Sequence, residues 1–234
     1  MRLHRFIRPI DLTAIQISLV DSSLRHQLSR VFRMNVGDEL LLCDGNNQEA
    51  RVRITTITKK EVVVEVLERY QAPHVLQRKI VLYLSIIKHD HVDLVVEKAT
   101  ELGVMTIVPV VSARTIKKSV RIDRLQSIVR EAAEQCGRGT VPSVEPVVSL
   151  KEAFEQANAC TVRLFCDMGG EPMGSALKEH LDSIALFIGP EGGWTDEERM
   201  LAKEKGCRTV SFGSLVLRAE TAAIVGVYEL ASNK

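Results

Sequence analysis

Aromatic side chains are scarce: Phe, Trp and Tyr together make up 4% of the 234 residues. So few rings count against recognition of single-stranded nucleic acid by base stacking. Cysteine is also sparse. The five cysteines, at positions 43, 136, 160, 166 and 207, form no CxxC pair and are odd in number. That argues against a disulfide framework or a structural zinc site and fits a reducing cytoplasm. Long apolar runs are missing: no stretch approaches the roughly 18 residues that a membrane span needs. The opening "MRLHRFIRPIDL" has no signal-peptide apolar core. The net charge is +1, so any attraction to nucleic acid has to be local. These absences lead to an expectation of a soluble, cytoplasmic protein with no metal and no membrane partner.

The rest of the composition is that of a globular protein, 45% hydrophobic and 26% charged, long enough for one large domain or two modest ones. The charge is unevenly spread. Residues 1–35 hold six Arg against Asp11 and Asp21, whereas residues 36–70 hold five basic and seven acidic residues. Arg2, Arg5, Arg8, Arg30 and Arg33 are therefore candidates for RNA phosphate contact. A second patch lies in "SARTIKKSVRIDR", where Arg114, Lys117, Lys118, Arg121 and Arg124 face Asp123 alone. Solvated loops are the competing reading for both patches.

Up to about residue 70 the pattern is one of short strands. "DELLLCDG" ends in an Asp-Gly turn, and "EARVRITTIT" and "EVVVEVLERY" alternate at period two around "KK". The only helical stretch is "SLRHQLSRVFRM", with Leu24, Leu28, Val31 and Phe32 at helical spacing. This reads as a small β-barrel or sandwich. After "QAPHVLQR" the rhythm changes to strand and helix in alternation, from "KIVLYLSII" and "VDLVVEKATELG" to "RTVSFG" and "AETAAIVGVYEL". Such alternation predicts a mostly parallel sheet with helices on both faces. The expected division is a β domain over residues 1–72 and an α/β domain over 73–234. The helix "IDRLQSIVREAAEQCGR" has a broad apolar face, and "AETAAIVGVYEL" is apolar nearly all round; each suits either a core or a partner surface.

Ligands of open parallel sheets bind at the carboxyl ends of the strands. Three Gly-containing loops are predicted there: "CDMGGEPMG", "IGPEGGW" and "FGSLVLRAETA". "GPEGGW" matches neither the dinucleotide fingerprint nor the nucleotide-triphosphate loop, has no lysine, and places Glu191 inside the turn. The helix that follows has its own capping box, Thr195 with Glu198, and carries Asp196 and Glu197 at its positive end. An anion is disfavoured here. A ligand that is positive or neutral at this loop, such as S-adenosylmethionine with its sulfonium, fits.

"EKATELGV", "REAAEQCGR" followed by "VPSVEP", "IGPEGGWTDEE" and "LRAETA" stand in the order and spacing of one family. By these motifs, and by "RHQLSRVFRMNVGDELLLCDG", the chain resembles the RsmE family of 16S ribosomal RNA uridine-N3 methyltransferases, of the SPOUT superfamily. The resemblance covers nearly the whole chain. It implies a PUA-like, RNA-binding β-barrel over 1–72 and a SPOUT domain over 73–234 whose C-terminal half forms a trefoil knot. It also implies S-adenosylmethionine as cofactor, a homodimer, and 16S rRNA as substrate within the assembled small subunit. By the matching motifs, Ile188, Gly189, Pro190, Gly192 and Gly193 would form the cofactor loop, and Phe212, Gly213, Leu215 and Leu217 its second wall. The family often has Leu where Phe212 stands and Arg where Leu215 stands. Arg218 is the candidate for charge stabilisation at the uracil oxygens, with Glu191 and Glu220 as candidate bases. The alternatives are an Arg218 salt bridge to either glutamate, or a glutamate capping the helix near Ala219. At the level of the whole protein, the competing reading is a non-catalytic RNA-binding or ribosome-assembly factor on the same fold.

Overall fold

The computed structural model describes residues 3–72, 78–176 and 182–232. The chain divides into two compact units, Met1–Val75 with Ala133–Val141, and Leu76–Ala132 with Pro142–Lys234.

The first unit is a five-stranded sheet in the order β1-β3-β4-β5-β2. Its strands are β1 (Arg5–Ile7), β2 (Gln16–Leu19), β3 (Glu39–Cys43), β4 (Gln48–Ile57) and β5 (Val62–Gln71). The period-two alternation of the two long strands buries Ala50, Val52 and Ile54 of β4 and Val62 and Val64 of β5 on one face. Those side chains pack with Phe6, Leu24, Leu28, Leu40 and Leu42. All pairings are antiparallel except β1 with β3.

The expected helix exists but changes character. Helix α1 (Ser22–His26), capped by Asp21, runs into a π-helical turn over Gln27–Val31. There the Phe32 N–H donates to Gln27 O, five residues back, at 2.9 Å. The wider turn rotates the later positions, so Leu24 and Leu28 are buried while Val31 and Phe32 are exposed.

The arginine cluster near the N-terminus does not form one surface. Arg5 is paired with buried Glu49. Arg8 donates to Glu134 Oε1 at 2.7 Å, Gln27 Oε1 at 2.8 Å and its neighbour's carbonyl, and is buried. Guanidinium groups satisfied in this way are not available to RNA phosphate, which corrects the expectation for Arg5 and Arg8. Arg30 and Arg33 are exposed, and Arg2 lies outside the described residues. The segment Ala133–Val141 completes this unit: Glu134 also accepts the Ile7 N–H, and Gly139 O accepts the Asn47 N–H.

The second unit holds a seven-stranded sheet, in the order β12-β10-β11-β6-β7-β8 with β9 also on β7, and every pairing is parallel. The strands are β6 (Lys79–Ser85), β7 (Thr106–Val111), β8 (Ser143–Val144), β9 (Val148–Ser149), β10 (Val162–Pro172), β11 (Ser183–Ile188) and β12 (Arg208–Ser211). The helices are α2 (His89–Glu101), α3 (Ile122–Cys136), α4 (Leu150–Gln156), α5 (Met173–Ala176), α6 (Asp196–Glu204) and α7 (Ala219–Ser232). The last residues of α3 belong to the first unit. Residues 177–181, in the predicted helix "GSALKEHL", lie outside the described residues. An aromatic cluster anchors the sheet, with Tyr83 stacked on Phe187 at 4.5 Å and Phe165 on Trp194 at 4.5 Å.

Strand β10 departs from the sequence reading. Where a loop is expected after Asp167, the strand resumes as far as Pro172. Cys166 and Glu171 both pair with Val210, so the four residues between them bulge out of the ladder. Gly170 lies so close to β12 that a Cβ there would meet Val210 backbone at 2.5 Å.

Candidate active site

A cleft of about 550 Å³ opens where β6, β11 and β12 end and β10 begins to bulge. That volume suits a drug-sized ligand or cofactor. Its walls are the turn after β11, the segment after β12, the start of the β10 bulge, and the residues between β6 and α2. Of the residues expected to hold a cofactor, Ile188, Gly189, Pro190, Gly193, Phe212, Leu215 and Leu217 line the cleft. Gly192 and Gly213 do not; the Gly192 carbonyl instead accepts from Arg114 Nη1 at 2.7 Å.

The turn after β11 has a definite internal structure. Gly193 donates its N–H to Pro190 O at 2.8 Å with φ +69°, a left-handed conformation that favours glycine. Trp194 is buried and its Nε1–H donates to Cys166 O at 2.9 Å, which ties the turn to β10 just before the bulge. A Cβ on Gly189 would stand 2.9 Å from the indole, so glycine is required there for close approach.

The capping box expected at α6 is present. Glu198 N–H donates to Thr195 Oγ1 at 3.3 Å, and Glu198 Oε2 accepts the Thr195 N–H at 2.9 Å. Glu198 is buried, and its other oxygen accepts the Ala113 N–H at 2.8 Å, linking α6 to the loop after β7. With Asp196 and Glu197 also in the first turn, this helix start repels phosphate.

All three residues singled out for chemistry line the cleft. Arg218 is exposed and makes no ion pair among the described residues, so neither salt bridge considered for it is present there. Glu191 Oε1 accepts the Lys88 N–H at 3.1 Å, which places it at the start of α2 and not at α7. Glu220 is buried in the first turn of α7, and its Oε2 stands 3.4 Å from His91 Nδ1. Asp167, at the start of the bulge, is bound to Arg199 Nε at 2.6 Å. Burial pushes the neighbouring Cys166 thiol well above its usual range. Lys88 and His91 were missed in the sequence, although β6 sits mid-sheet and the strand-end rule applies to it equally.

In the second basic patch, Arg114, Lys117 and Lys118 are exposed. Arg121 and Arg124 are bound to Asp123 at 2.8 Å and Asp93 at 2.6 Å, which removes them as free cations. Among the described residues there is no cluster of three metal-ligating side chains, and no helix is long and apolar enough to cross a membrane.

A family model for an RNA methyltransferase domain matches residues 74–230, and one for an RNA methyltransferase PUA domain matches residues 28–67. A ribosomal RNA small subunit methyltransferase E from Neisseria gonorrhoeae, solved bound to S-adenosyl methionine, has a TM-score of 0.90 at 31% identity, covering 98% of this chain and 97% of that one. A chain from Legionella pneumophila, solved with the cofactor SAM, has a TM-score of 0.91 at 29% identity, covering 98% and 97%. A ribosomal RNA small subunit methyltransferase E of Rickettsia conorii is 31% identical over 92% of this chain and 89% of its own length. The small β unit, the parallel sheet and the loop-built cleft at its carboxyl edge define the fold class of a SPOUT-type α/β-knot RNA methyltransferase. Within that class, the chain belongs to the family of the ribosomal RNA small subunit methyltransferases E.

Proposed function

We propose that this protein transfers a methyl group from S-adenosylmethionine to N3 of one uridine in 16S rRNA, acting in the cytoplasm as a homodimer on the assembled small subunit. The observation that carries the reading is the chemistry of the cleft. It is large enough for the cofactor, its backbone turns are shaped by glycines, and the turn after β11 carries Glu191 where a phosphate-binding loop would have lysine. The cofactor supplies an electrophilic methyl on a positively charged sulfur. Ile188, Gly189, Pro190 and Gly193 hold it from one side, and Phe212, Leu215 and Leu217 from the other, with Gly192 and Gly213 shaping the two turns from outside the cleft lining. Carboxylates favour the positive sulfur through space and so favour binding of the cofactor.

The uracil N3–H is a weakly acidic imide, and the charge left by its proton spreads to the flanking carbonyl oxygens. Arg218, exposed at the cleft with no ion pair among the described residues, stabilises that charge. Of the two candidate carboxylates, Glu191 is engaged with the Lys88 amide, which favours Glu220 as the one that assists removal of the proton. Arg30, Arg33, Arg114, Lys117 and Lys118 contact RNA phosphates, residues 1–72 act as the RNA-binding domain, and residues 73–234 carry the chemistry. Leu215 and Val216, 77% and 79% exposed at the cleft, together with exposed Tyr228 of α7, give a second subunit an apolar surface to cover.

Mass mapping of small-subunit rRNA from a strain lacking the gene tests the proposal. One methyluridine should disappear and return with a plasmid copy. An unchanged methylation map refutes the reading and favours a non-catalytic assembly role.

A further inference from the structure

Within the methyl-transfer reading, on which this inference rests, the proton acceptor is still to be placed. Glu220 is a poor candidate to touch a nucleobase directly, because only 11% of its side chain is exposed. In front of it stands His91 of α2, which lines the cleft with 37% of its side chain exposed. His91 Nδ1 is closed off from solvent and has no hydrogen-bond partner among the described residues, yet lies 3.4 Å from Glu220 Oε2. A buried ring nitrogen without a partner costs free energy unless its proton faces an acceptor. A small rotation of either side chain would make the Glu220 carboxylate that acceptor.

We propose that His91 accepts the N3 proton and that Glu220 is the positioning residue behind it. Glu220 holds the tautomer with the proton on Nδ1, which leaves the lone pair on Nε2, and it stabilises the imidazolium that forms. The division of labour is that of a carboxylate–histidine pair in acyl transfer, applied here to an imide. In the step, the N3–H bond breaks and its proton bonds to Nε2. The electron pair stays on N3 and forms the bond to the methyl carbon, and the methyl–sulfur pair returns to sulfur as a neutral thioether. The imidazolium then loses its proton to solvent. The other charged groups lining the cleft are Lys88 at the start of α2, Asp167 at the start of the β10 bulge, Glu191 after β11 and Arg218 before α7.

Single-turnover methyl transfer to small ribosomal subunits from the knockout strain, measured across neutral pH, tests the assignment alongside calorimetric binding of S-adenosylmethionine. His91→Gln should slow transfer about 100-fold, the usual scale for a lost general base, and remove the fall in rate on the acidic side. Cofactor affinity should stay within about threefold. Glu220→Gln should be slow as well, with cofactor affinity kept, and Glu220→Asp should recover part of the rate, which a merely structural role would not produce. Added imidazole should raise the rate of His91→Ala. Wild-type protein that transfers no methyl group refutes the proposed function itself. Active wild type with an unaffected His91→Gln rate and pH profile overturns only the His91 assignment, and so does a His91→Gln defect that follows lost cofactor binding.

Discussion

Glu198 joins two stretches of chain that are far apart in sequence, and its removal has a calculable cost. Glu198→Ala leaves the Ala113 and Thr195 N–H groups without their acceptor and dismantles the capping box of α6. The two stranded donors are partly buried and cost about 1 kcal/mol each at the low end of the usual range, while the Thr195 hydroxyl still caps the N–H of residue 198. The total is about 2 kcal/mol, against about 1 kcal/mol for Thr195→Ala, which removes the hydroxyl cap alone. The reporter is built in. The protein has one tryptophan, Trp194, 2% exposed and adjacent to this box, so its fluorescence follows unfolding of the second unit. With a urea slope of about 2–3 kcal/mol/M, Glu198→Ala should lower the midpoint by about 0.7–1 M, and Thr195→Ala by about 0.3–0.5 M. Cofactor affinity should fall in Glu198→Ala as well, because residues 113 and 114 loosen together and Arg114 holds the Gly192 carbonyl. Equal midpoints for the two variants would refute the reasoning, since the link to Ala113 would then contribute nothing.

Other outcomes are expected from the same geometry. Arg218→Ala should reduce single-turnover methyl transfer by 10²- to 10³-fold with calorimetric cofactor affinity unchanged; normal turnover would remove Arg218 from the mechanism. Replacing Lys117 and Lys118 by Gln should flatten the salt dependence of RNA binding by about two in log–log slope, whereas an unaltered slope would show that neither lysine meets a phosphate. Ser149→Ala should cost about 1 kcal/mol at neutral pH through loss of the α4 capping box. Hydrogen bonds to Ser149 hold the Glu152 carboxyl below its usual value of 4.5, so its contribution is complete above that pH and lost as pH falls through the lowered value. Ser149→Ala removes only the hydroxyl's share of that linkage, and the bond from the Glu152 N–H to Ser149 Oγ does not titrate. The gap between variant and wild type should therefore narrow without closing in acid unfolding, and a constant gap would contradict the linkage. The buried Cys43 thiol, pushed up to about 12 first by burial and then by Glu49, should escape alkylation at pH 8.5 in native protein; mass spectra showing it labelled as fast as Cys136 would contradict that burial.

Periodicity and caps were readable wherever the causes are local. The Thr195 and Glu198 pair marked the start of α6, and the alternation of β4 and β5 marked both strands. The same Ser-x-x-Glu pattern in "SLKE" heads α4, which is only seven residues long and carries too little periodicity to stand out. Strands β1, β2, β8 and β9, two to four residues each, are defined by their neighbours in the sheet and not by any pattern of their own. Charge was misread where its partner is distant. Arg8 looks like a surface cation until Glu134, 126 positions away, is brought against it. Most of the cleft walls were legible because glycine marks tight backbone, while the His91–Glu220 pair was not, because it depends on α2 packing against α7.

The return of Ala133–Val141 to the first unit has a consequence for biosynthesis. A ribosome that has released only the first 75 residues has produced five strands whose Arg8 guanidinium and whose Ile7 and Asn47 amides still await acceptors more than ninety positions downstream. Helix α3 has to emerge before that wait ends, so the N-terminal unit is completed only after part of its successor has been translated. A truncated gene encoding the β strands alone would yield a nascent chain halted at this waiting stage, exposed to proteases and chaperones.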